Sequence, residues 1–256
     1  MNPLEAIHPF ARIEQLLGPE SMETIKKARI CIFGLGAVGS FAVEALARTG
    51  VGHLTVVDFD QVDPSNINRQ LFALHSTVGK NKADLAAERI KDIHPQCQVR
   101  VHSEFVNADS LDSLLASDTD VVVDAIDGLN SKVNLLVAAK AMGLNVVSSM
   151  GAAGRTDLSE IKTGDISETE VCPLARVVRR RLRRRGVSEG IFTVYSTEQP
   201  LNKQPYHPED VHDSLEHHGR ERPPIGTICW VPGVFGLTLA AKAVEFILSS
   251  LRAPHP

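Results

Sequence analysis

The chain has 256 residues, of which 43% are hydrophobic, 23% charged and 5% aromatic. This length accommodates one α/β core with an insertion, and the composition is that of a soluble globular protein rather than a disordered or membrane protein. The net charge of -4 alone argues against a nucleic-acid binder. However, seven arginines lie between Arg176 and Arg185, and local charge matters more than the sum for binding polyanions.

The sequence predicts a cytoplasmic protein with no membrane partner. The first ten residues show no secretory signal. The apolar stretch 231–251 carries Lys242 and Glu245 at its centre, which a lone membrane-spanning helix would have to bury, so a terminal core helix is expected. No two cysteines form a CxxC pair, which argues against a zinc site and a disulfide framework. The four cysteines are Cys31, Cys97, Cys172 and Cys229.

Short apolar runs alternate with helical patterns over the first 150 residues. This alternation predicts an α/β fold with a doubly wound, Rossmann-like, mainly parallel sheet covered on both faces, whose nucleotide-binding core spans about 25–150. Strands are predicted at 28–33, 54–57, 99–101, 121–123 and 146–147, and helices from Val38 and at 81–93, 110–116 and 132–142.

The pattern changes after Gly154, and residues 151–256 are predicted to extend the same single domain on the substrate side. Short, antiparallel strands are expected near 160–163, 192–196 and 227–231, with an arginine-rich helix between them and a long helix from Gly233. The segment 198–224 holds five prolines and four histidines, which predicts a mobile loop. Its histidines, His207, His212, His217 and His218, lack a second ligand cluster and are interpreted as surface residues rather than metal ligands.

The glycine-rich turn at 34–39 predicts a nucleotide site. A strand, a GxGxxG turn formed by Gly34, Gly36 and Gly39, and a helix place backbone N–H groups and the positive helix end against phosphate. Asp58 ends the next predicted strand, where a carboxylate can accept hydrogen bonds from ribose hydroxyls. The turn alone does not say which nucleotide binds.

Charged residues after the following strands indicate that the nucleotide is ATP with Mg²⁺. Arg69 and Lys82 can neutralise the β- and γ-phosphates, and Asp127 can hold the bridging magnesium ion. Such a clamp stabilises the charge that builds on departing pyrophosphate, whereas a dinucleotide dehydrogenase has no need of it. The same segment supplies the other predicted ATP-binding residues, Asp60, Ser65 and Asn66.

Four motifs resemble the ubiquitin-activating-enzyme superfamily (ThiF/MoeB), whose bacterial members adenylate carboxylates. They are GLGAVG at 34–39, LTVVDFDQVDPSNINRQ at 54–70, VGKNK at 78–82 and DAIDGLNSK at 124–132.

The resemblance implies a role for individual residues. It implies that Asp58 binds the ribose, that Asn66, Arg69 and Lys82 bind the phosphates, and that Asp127 binds the metal. It also matches Arg12 to an arginine that reaches the neighbouring subunit's ATP site, which implies a homodimer. The site residues expected to take part in catalysis are therefore Arg12, Arg69, Lys82 and Asp127.

The second half of the chain resembles the tRNA threonylcarbamoyladenosine dehydratases, on the motifs at 164–167, 173–176, 194–198 and 226–236. The resemblance implies ATP-driven cyclisation of a threonylcarbamoyl group on tRNA through an adenylated carboxylate. One alternative is a sulfur-carrier adenylyltransferase, although the missing CxxC pairs count against it. Others are a non-catalytic nucleotide-binding scaffold and an NAD-dependent oxidoreductase, against which Arg69 and Lys82 argue. A sulfur-transfer or other accessory protein is a further candidate partner.

The arginine-rich helix is the candidate tRNA-binding element. Its charge density suits a phosphate backbone, and the alternative is a solvated helix that pairs with local acids. Cys172 precedes this helix, where the dipole can lower a thiol pKa, so a nucleophilic role is conceivable; a small buried hydrophobe is the favoured interpretation. The predicted tRNA contacts are Arg179, Arg180, Arg183 and Arg184.

Overall fold

A computed structural model describes residues 8–201 and 225–252. Its centre is one seven-stranded sheet in the order β3-β2-β1-β4-β5-β7-β6. All neighbouring pairs are parallel except β6 and β7, which are antiparallel. The strands are β1 Arg29–Phe33, β2 His53–Val57, β3 Gln98–His102, β4 Val121–Asp124, β5 Asn145–Ser149, β6 Ile161–Asp165 and β7 Phe192–Ser196.

Helices cover both faces of the sheet, which confirms the predicted doubly wound architecture. Their apolar sides form two hydrophobic clusters, with α2, α3, α4 and α8 on one face and α5, α6 and α7 on the other. The helices are α1 Ala11–Leu17, α2 Pro19–Lys27, α3 Gly39–Thr49, α4 Lys82–Ile93, α5 Leu111–Leu114, α6 Leu129–Ala141, α7 Pro173–Arg184 and α8 Trp230–Arg252.

The prediction of a strand near 227–231 is wrong. Residues 225–229 are irregular, and α8 begins at Trp230 rather than at Gly233. Pro232 does not prevent this earlier start, because proline is tolerated in the first helical turn, where N–H groups have no partner within the helix. The N–H of Gly233 donates to the carbonyl of Cys229 at 3.0 Å and so belongs to the first turn.

Helix α8 is the predicted terminal core helix. It contains one stretch, Trp230–Ser249, that is long and apolar enough to cross a membrane by composition, and half of this stretch is buried inside the protein. It packs closely on α3: a Cβ at Gly236 would lie 2.3 Å from the carbonyl oxygen of Val38. The apolar residues of α8 are therefore explained by their burial against α3 and the sheet.

The first residue of the segment predicted as a mobile loop is hydrogen-bonded to the loop that follows β5. The carboxylate of Glu198 accepts hydrogen bonds from the backbone N–H groups of Thr156 and Asp157, each at 2.9 Å. Residues 202–224, including the four histidines, lie outside the described residues.

An ion pair that the sequence analysis did not identify is buried beside the sheet. Asp124, the last residue of β4, and Lys132 of α6 are both fully buried, with Nζ 2.5 Å from Oδ2. The same oxygen accepts from Ser148 Oγ at 2.5 Å, and Lys132 Nζ also donates to the carbonyl of Ser149 at 3.0 Å. Oδ1 accepts from the N–H of Ile126 at 3.1 Å. The pair thereby fixes the loop that leaves β4.

We expect Lys132→Met to lower the free energy of unfolding by about 3–5 kcal/mol, because it leaves the Asp124 carboxylate buried without its counter-ion. Adding Asp124→Asn should recover part of this loss, since the remaining side chain is neutral. Denaturant unfolding measures both effects. Lys27→Met, at an exposed position of α2, is the control and should change stability by less than about 0.5 kcal/mol. An equally small effect of Lys132→Met would contradict the assignment of a stabilising buried ion pair.

Candidate active site

Two of the three motif glycines are required by the backbone itself. Gly34 has φ of +85°, and a Cβ there would lie 2.7 Å from the carbonyl oxygen of Ala125. A Cβ at Gly39 would lie 1.8 Å from the carbonyl oxygen of Gly34. Gly36 differs, because its nearest neighbour is the flexible side chain of Gln70 at 3.7 Å. The turn is therefore closed by Gly34 and Gly39, while Gly36 leaves space for a ligand to approach the backbone.

Asp58 joins the glycine turn to the end of β2. Its Oδ2 accepts from the N–H of Leu35 at 2.6 Å, and Oδ1 accepts from the N–H of Asp60 at 2.8 Å. Burial raises the pKa of the Asp58 carboxyl, opposed by the nearby charge of Lys82 and by these two hydrogen bonds. Each carboxylate oxygen retains a further acceptor site, which is what a ribose hydroxyl would use.

Lys82 is a buried cation at the start of α4. Its side chain is 6% exposed, and Nζ lies 2.8 Å from Oδ2 of Asp60, whose side chain is 46% exposed. The backbone N–H of Lys82 also donates to the carbonyl of Asp60, at 3.0 Å. The ammonium group thus lies beneath a carboxylate that faces solvent, and a phosphate that enters from that side would compete with Asp60 for it.

The segment from Asp63 to Arg69 is held by its own side chains. Asp63 Oδ1 accepts from the N–H of Ser65 at 2.8 Å, and buried Asn66 accepts from the N–H of Asp63 at 3.3 Å, which caps a short 3₁₀ turn. Arg69 Nη1 donates to the carbonyl of Ser65 at 2.7 Å and to Oδ1 of Asn68 at 2.9 Å. Within the described residues Arg69 forms no salt bridge, so its charge is available to an anion.

Asp127 lies on the loop between β4 and α6 and is exposed. Ala125 of this loop contacts the glycine turn, as the close approach to Gly34 shows, and Asp127 follows two residues later in the same loop. In the parts of the chain that the structure describes, no three acidic, histidine or cysteine side chains cluster as metal ligands. A single carboxylate nevertheless fits Mg²⁺, which proteins commonly hold through one or two carboxylates and the substrate's phosphates.

The irregular segment before α8 connects two loops at this edge of the sheet. Asn68 Nδ2 donates to the carbonyl of Thr227 at 3.2 Å, and the carbonyl of Gly226 accepts from the N–H of Gly154 at 2.8 Å. Trp230 Nε1 donates to the carbonyl of Thr156 at 2.9 Å. These contacts connect the loop after β5 to the segment from Asp63 to Arg69, which we call the phosphate segment. They depend on chain folding over more than 70 residues, and no local sequence signal predicts them.

Arg12 lies away from the glycine turn of its own chain. Phe10 packs on His94, with ring centroids 4.8 Å apart, and beside Gly50 at the far end of α3. Helix α3 has 11 residues and is roughly 16 Å long, so Arg12, two residues after Phe10, is near the end opposite the turn. Helix α1 buries none of its residues, and Leu16 is 80% exposed.

The arginines of α7 and its C-cap fall into two groups. Arg179 donates to the carbonyl and hydroxyl of Thr169 at 2.5 Å, Arg181 donates to Asn130 Oδ1, and Arg185 donates to Asn134 Oδ1 at 2.5 Å. Among the described residues no carboxylate pairs with any arginine of this helix, which disfavours the interpretation of pairing with local acids. The second group has no side-chain hydrogen bond among the described residues and is exposed, as Arg185 also is; it consists of Arg176, Arg180, Arg183 and Arg184.

Cys172 is the N-cap residue of α7 and is 1% exposed. Its Sγ lies 3.6 Å from the position of a Cβ at Gly151. Burial agrees with the interpretation of a small apolar residue, and a catalytic role remains only a hypothesis.

Comparisons with known proteins agree over nearly the whole chain. The ThiF family model matches residues 10–255. The chain is 38% identical over 247 residues to tRNA threonylcarbamoyladenosine dehydratase of Bacillus subtilis, covering 96% of this chain and 97% of that protein. It is 31% identical over 153 residues to the molybdopterin-synthase adenylyltransferase of Salmonella typhimurium, covering 60% of each.

A solved structure shows the same arrangement. The crystal structure of the Escherichia coli tRNA N6-threonylcarbamoyladenosine dehydratase in complex with ATP superposes with a TM-score of 0.84 at 31% identity, covering 96% of each chain. Both the sequence match and this superposition extend through the C-terminal half. The chain therefore belongs to the ThiF family.

Proposed function

We propose that this protein catalyses the ATP-dependent cyclisation of N6-threonylcarbamoyladenosine in tRNA, with loss of one water. The observation that carries the proposal is that similarity to the dehydratases continues through both halves of the chain, whereas similarity to the adenylyltransferase covers 60% of it. The second candidate function, adenylation of a sulfur-carrier protein, is supported by that shorter match.

The site supports adenylation of a carboxylate. A carboxylate oxygen of the substrate attacks the α-phosphorus of ATP, and the bond to pyrophosphate breaks. An internal nucleophile then attacks the activated carbonyl carbon, and AMP leaves with the oxygen that is lost. Lys82 and Arg69 would neutralise the departing pyrophosphate, and Asp58 would orient the ribose.

Mg²⁺ is proposed as the second cofactor. When bound, it would reduce the negative charge on the phosphate oxygens. The exposed carboxylate of Asp127, in the loop that Asp124 fixes, would hold it.

We further propose a homodimer in which Arg12 acts in the partner subunit's ATP site. Two features support this arrangement: Arg12 lies toward the end of α3 opposite its own glycine turn, and α1 leaves Leu16 exposed. A cytoplasmic location is expected of an enzyme that modifies tRNA, and an accessory protein remains a candidate partner.

The exposed arginines of α7 are the proposed contacts for tRNA phosphates. Arg180, Arg183 and Arg184 retain this role from the sequence analysis, and exposed Arg176 joins them. Arg179 is the exception, because it is half-buried and donates to Thr169, so its contribution is to hold α7 in place.

With tRNA that carries the open threonylcarbamoyl group, we expect ATP to produce a nucleoside lighter by one water, detected by mass spectrometry of digested tRNA. Lys82→Met should reduce kcat/KM by about 10²–10³ because a phosphate loses its buried cation. Lys80→Met, an exposed neighbour, is the matched control and should retain activity. No mass change with wild-type protein and ATP would refute the proposed function.

The position of Arg12 predicts complementation between two inactive variants. Mixed dimers of Arg12→Ala and Lys82→Met subunits contain one intact site, formed by Arg12 of one subunit and Lys82 of the other. If the subunits exchange at random, about one quarter of wild-type activity should return, since half of the dimers are mixed. Continued inactivity after confirmed subunit exchange would show that Arg12 does not act across the interface.

The arginine helix predicts that salt weakens tRNA binding. The slope of log affinity against log salt concentration should fall in magnitude by about 2 in the Arg180→Gln, Arg184→Gln double variant, one for each lost phosphate contact. The matched control is the Arg48→Gln, Arg100→Gln double variant, which removes two charges elsewhere on the surface. Equal slopes in the two double variants would exclude α7 as the tRNA contact.

A further inference from the structure

Arg155 is a buried arginine that has no carboxylate partner in the described part of the chain. The residue is 3% exposed, and its Nη2 is buried with no hydrogen-bond acceptor among residues 8–201 and 225–252. Among the described residues it forms no salt bridge. A guanidinium group keeps its charge at any ordinary pH, and a buried charge that lacks a counter-ion is strongly unfavourable. The unused donor is therefore suited to an anionic group of a bound molecule.

The remaining donors of Arg155 hold its guanidinium group in place. Nη1 donates to the carbonyl oxygens of Gly151 at 2.6 Å and Ala153 at 3.1 Å, and Nε donates to the carbonyl of Glu198 at 3.2 Å. The Glu198 carboxylate does not neutralise this charge, because it accepts from the N–H groups of Thr156 and Asp157 instead. The group is thus fixed by the backbone of two loops, which leaves Nη2 as its free donor.

Arg155 lies at the carboxyl edge of the sheet, where ligands of open α/β sheets bind. Gly151 follows β5 by two residues, and a Cβ on it would lie 3.4 Å from Nη1 of Arg155. Gly154 is hydrogen-bonded to Gly226, and the adjacent Thr227 is hydrogen-bonded to Asn68 of the phosphate segment. Arg155 therefore belongs to a loop that is continuous with the nucleotide site.

The order of the strands gives this arginine a specific place. Along the edge, Asp58 follows β2, the glycine turn follows β1, Asp127 follows β4 and the loop of Arg155 follows β5. The proposed ribose, phosphate and metal positions thus occupy the first three loops. The next loop along is the one available to the group that attacks the α-phosphorus.

We propose that Arg155 binds the carboxylate of the acceptor, which, given the proposed function, is the threonine carboxylate of the modified adenosine. One carboxylate oxygen accepts from Nη2 while the other attacks the α-phosphorus and displaces pyrophosphate. In the resulting acyl-adenylate the first oxygen is the carbonyl oxygen. It gains negative charge when the internal nucleophile attacks, and Nη2 stabilises that charge until AMP leaves.

The test compares a charged and a neutral ligand. N6-threonylcarbamoyladenosine nucleoside and the same nucleoside with a carboxamide in place of the carboxylate are used as inhibitors of tRNA cyclisation. With wild-type protein the acid should inhibit at a concentration about tenfold or more below that of the amide, as expected for a charge-assisted hydrogen bond. Equal inhibition by the acid and the amide would overturn the proposal without any variant.

Variants assign the discrimination to Arg155. In Arg155→Gln the ratio between acid and amide should fall close to one, and KM for tRNA should rise about tenfold or more while KM for ATP is unchanged. Arg155→Lys retains a cation and should keep part of the discrimination between acid and amide. This variant also tests the proposal if Arg155→Gln does not fold. Arg100→Gln, on exposed β3, is the control.

The outcomes separate this proposal from the proposed function. An undiminished ratio in folded Arg155→Gln, or a parallel rise of both KM values, would show that Arg155 only holds the loop. Cyclisation of tRNA by the wild-type protein is measured before any variant is made. If none is detected, the proposed function itself is refuted.

Discussion

The hydrogen bond from the N–H of Leu35 to the carboxylate of Asp58 fixes the geometry on which the site depends. Strand β1 lies between β2 and β4, so the glycine turn that follows it emerges between two loops. Asp58 ties the turn to the end of β2. On the other side Asp124, at the end of β4, holds the loop whose Ala125 approaches Gly34. Two buried carboxylates therefore hold the turn from both sides by backbone hydrogen bonds, and the second, Asp124, is also paired with a lysine.

This arrangement separates structural charges from charges available to a ligand. Lys132 is fully buried and neutralises Asp124, so its charge is not available to a phosphate. Lys82 is almost as buried, but its partner Asp60 is half-exposed and belongs to the same edge as the glycine turn. Because an exposed carboxylate is stabilised by water when its partner is lost, exchange of Asp60 for phosphate costs less than separation of the Asp124 pair. The two lysines therefore differ in the burial of their carboxylate partners, since Asp124 is fully buried and Asp60 is half-exposed.

Elements with a strong local pattern could be predicted from the sequence, and contacts between distant segments could not. The apolar periodicity located all seven strands to within a few residues. The GxGxxG motif identified the turn because the local backbone has no room for a side chain at Gly34 or Gly39. Asp124 and Lys132 were both within a recognised motif, yet their pairing appears only when α6 folds over β4. The burial of Arg155 could not be predicted from the sequence, because a single arginine after a glycine-rich turn has the appearance of a surface residue.

The arginine helix shows how one element can serve both the fold and binding. Its apolar residues pack in the core beside α6, and three arginines of the helix and its cap donate to Thr169, Asn130 and Asn134. These acceptors are neutral, so anchoring the helix cancels none of its charge. The chain as a whole carries -4, which repels a polyanion at most orientations. An uncompensated positive surface on an otherwise acidic protein would therefore both attract and orient tRNA, which is the polyanion of the proposed function. The arginines that donate to Thr169, Asn130 and Asn134 add to the positive potential of the helix as well as the exposed ones. Neutral acceptors therefore suit this helix better than carboxylates, which would cancel that charge.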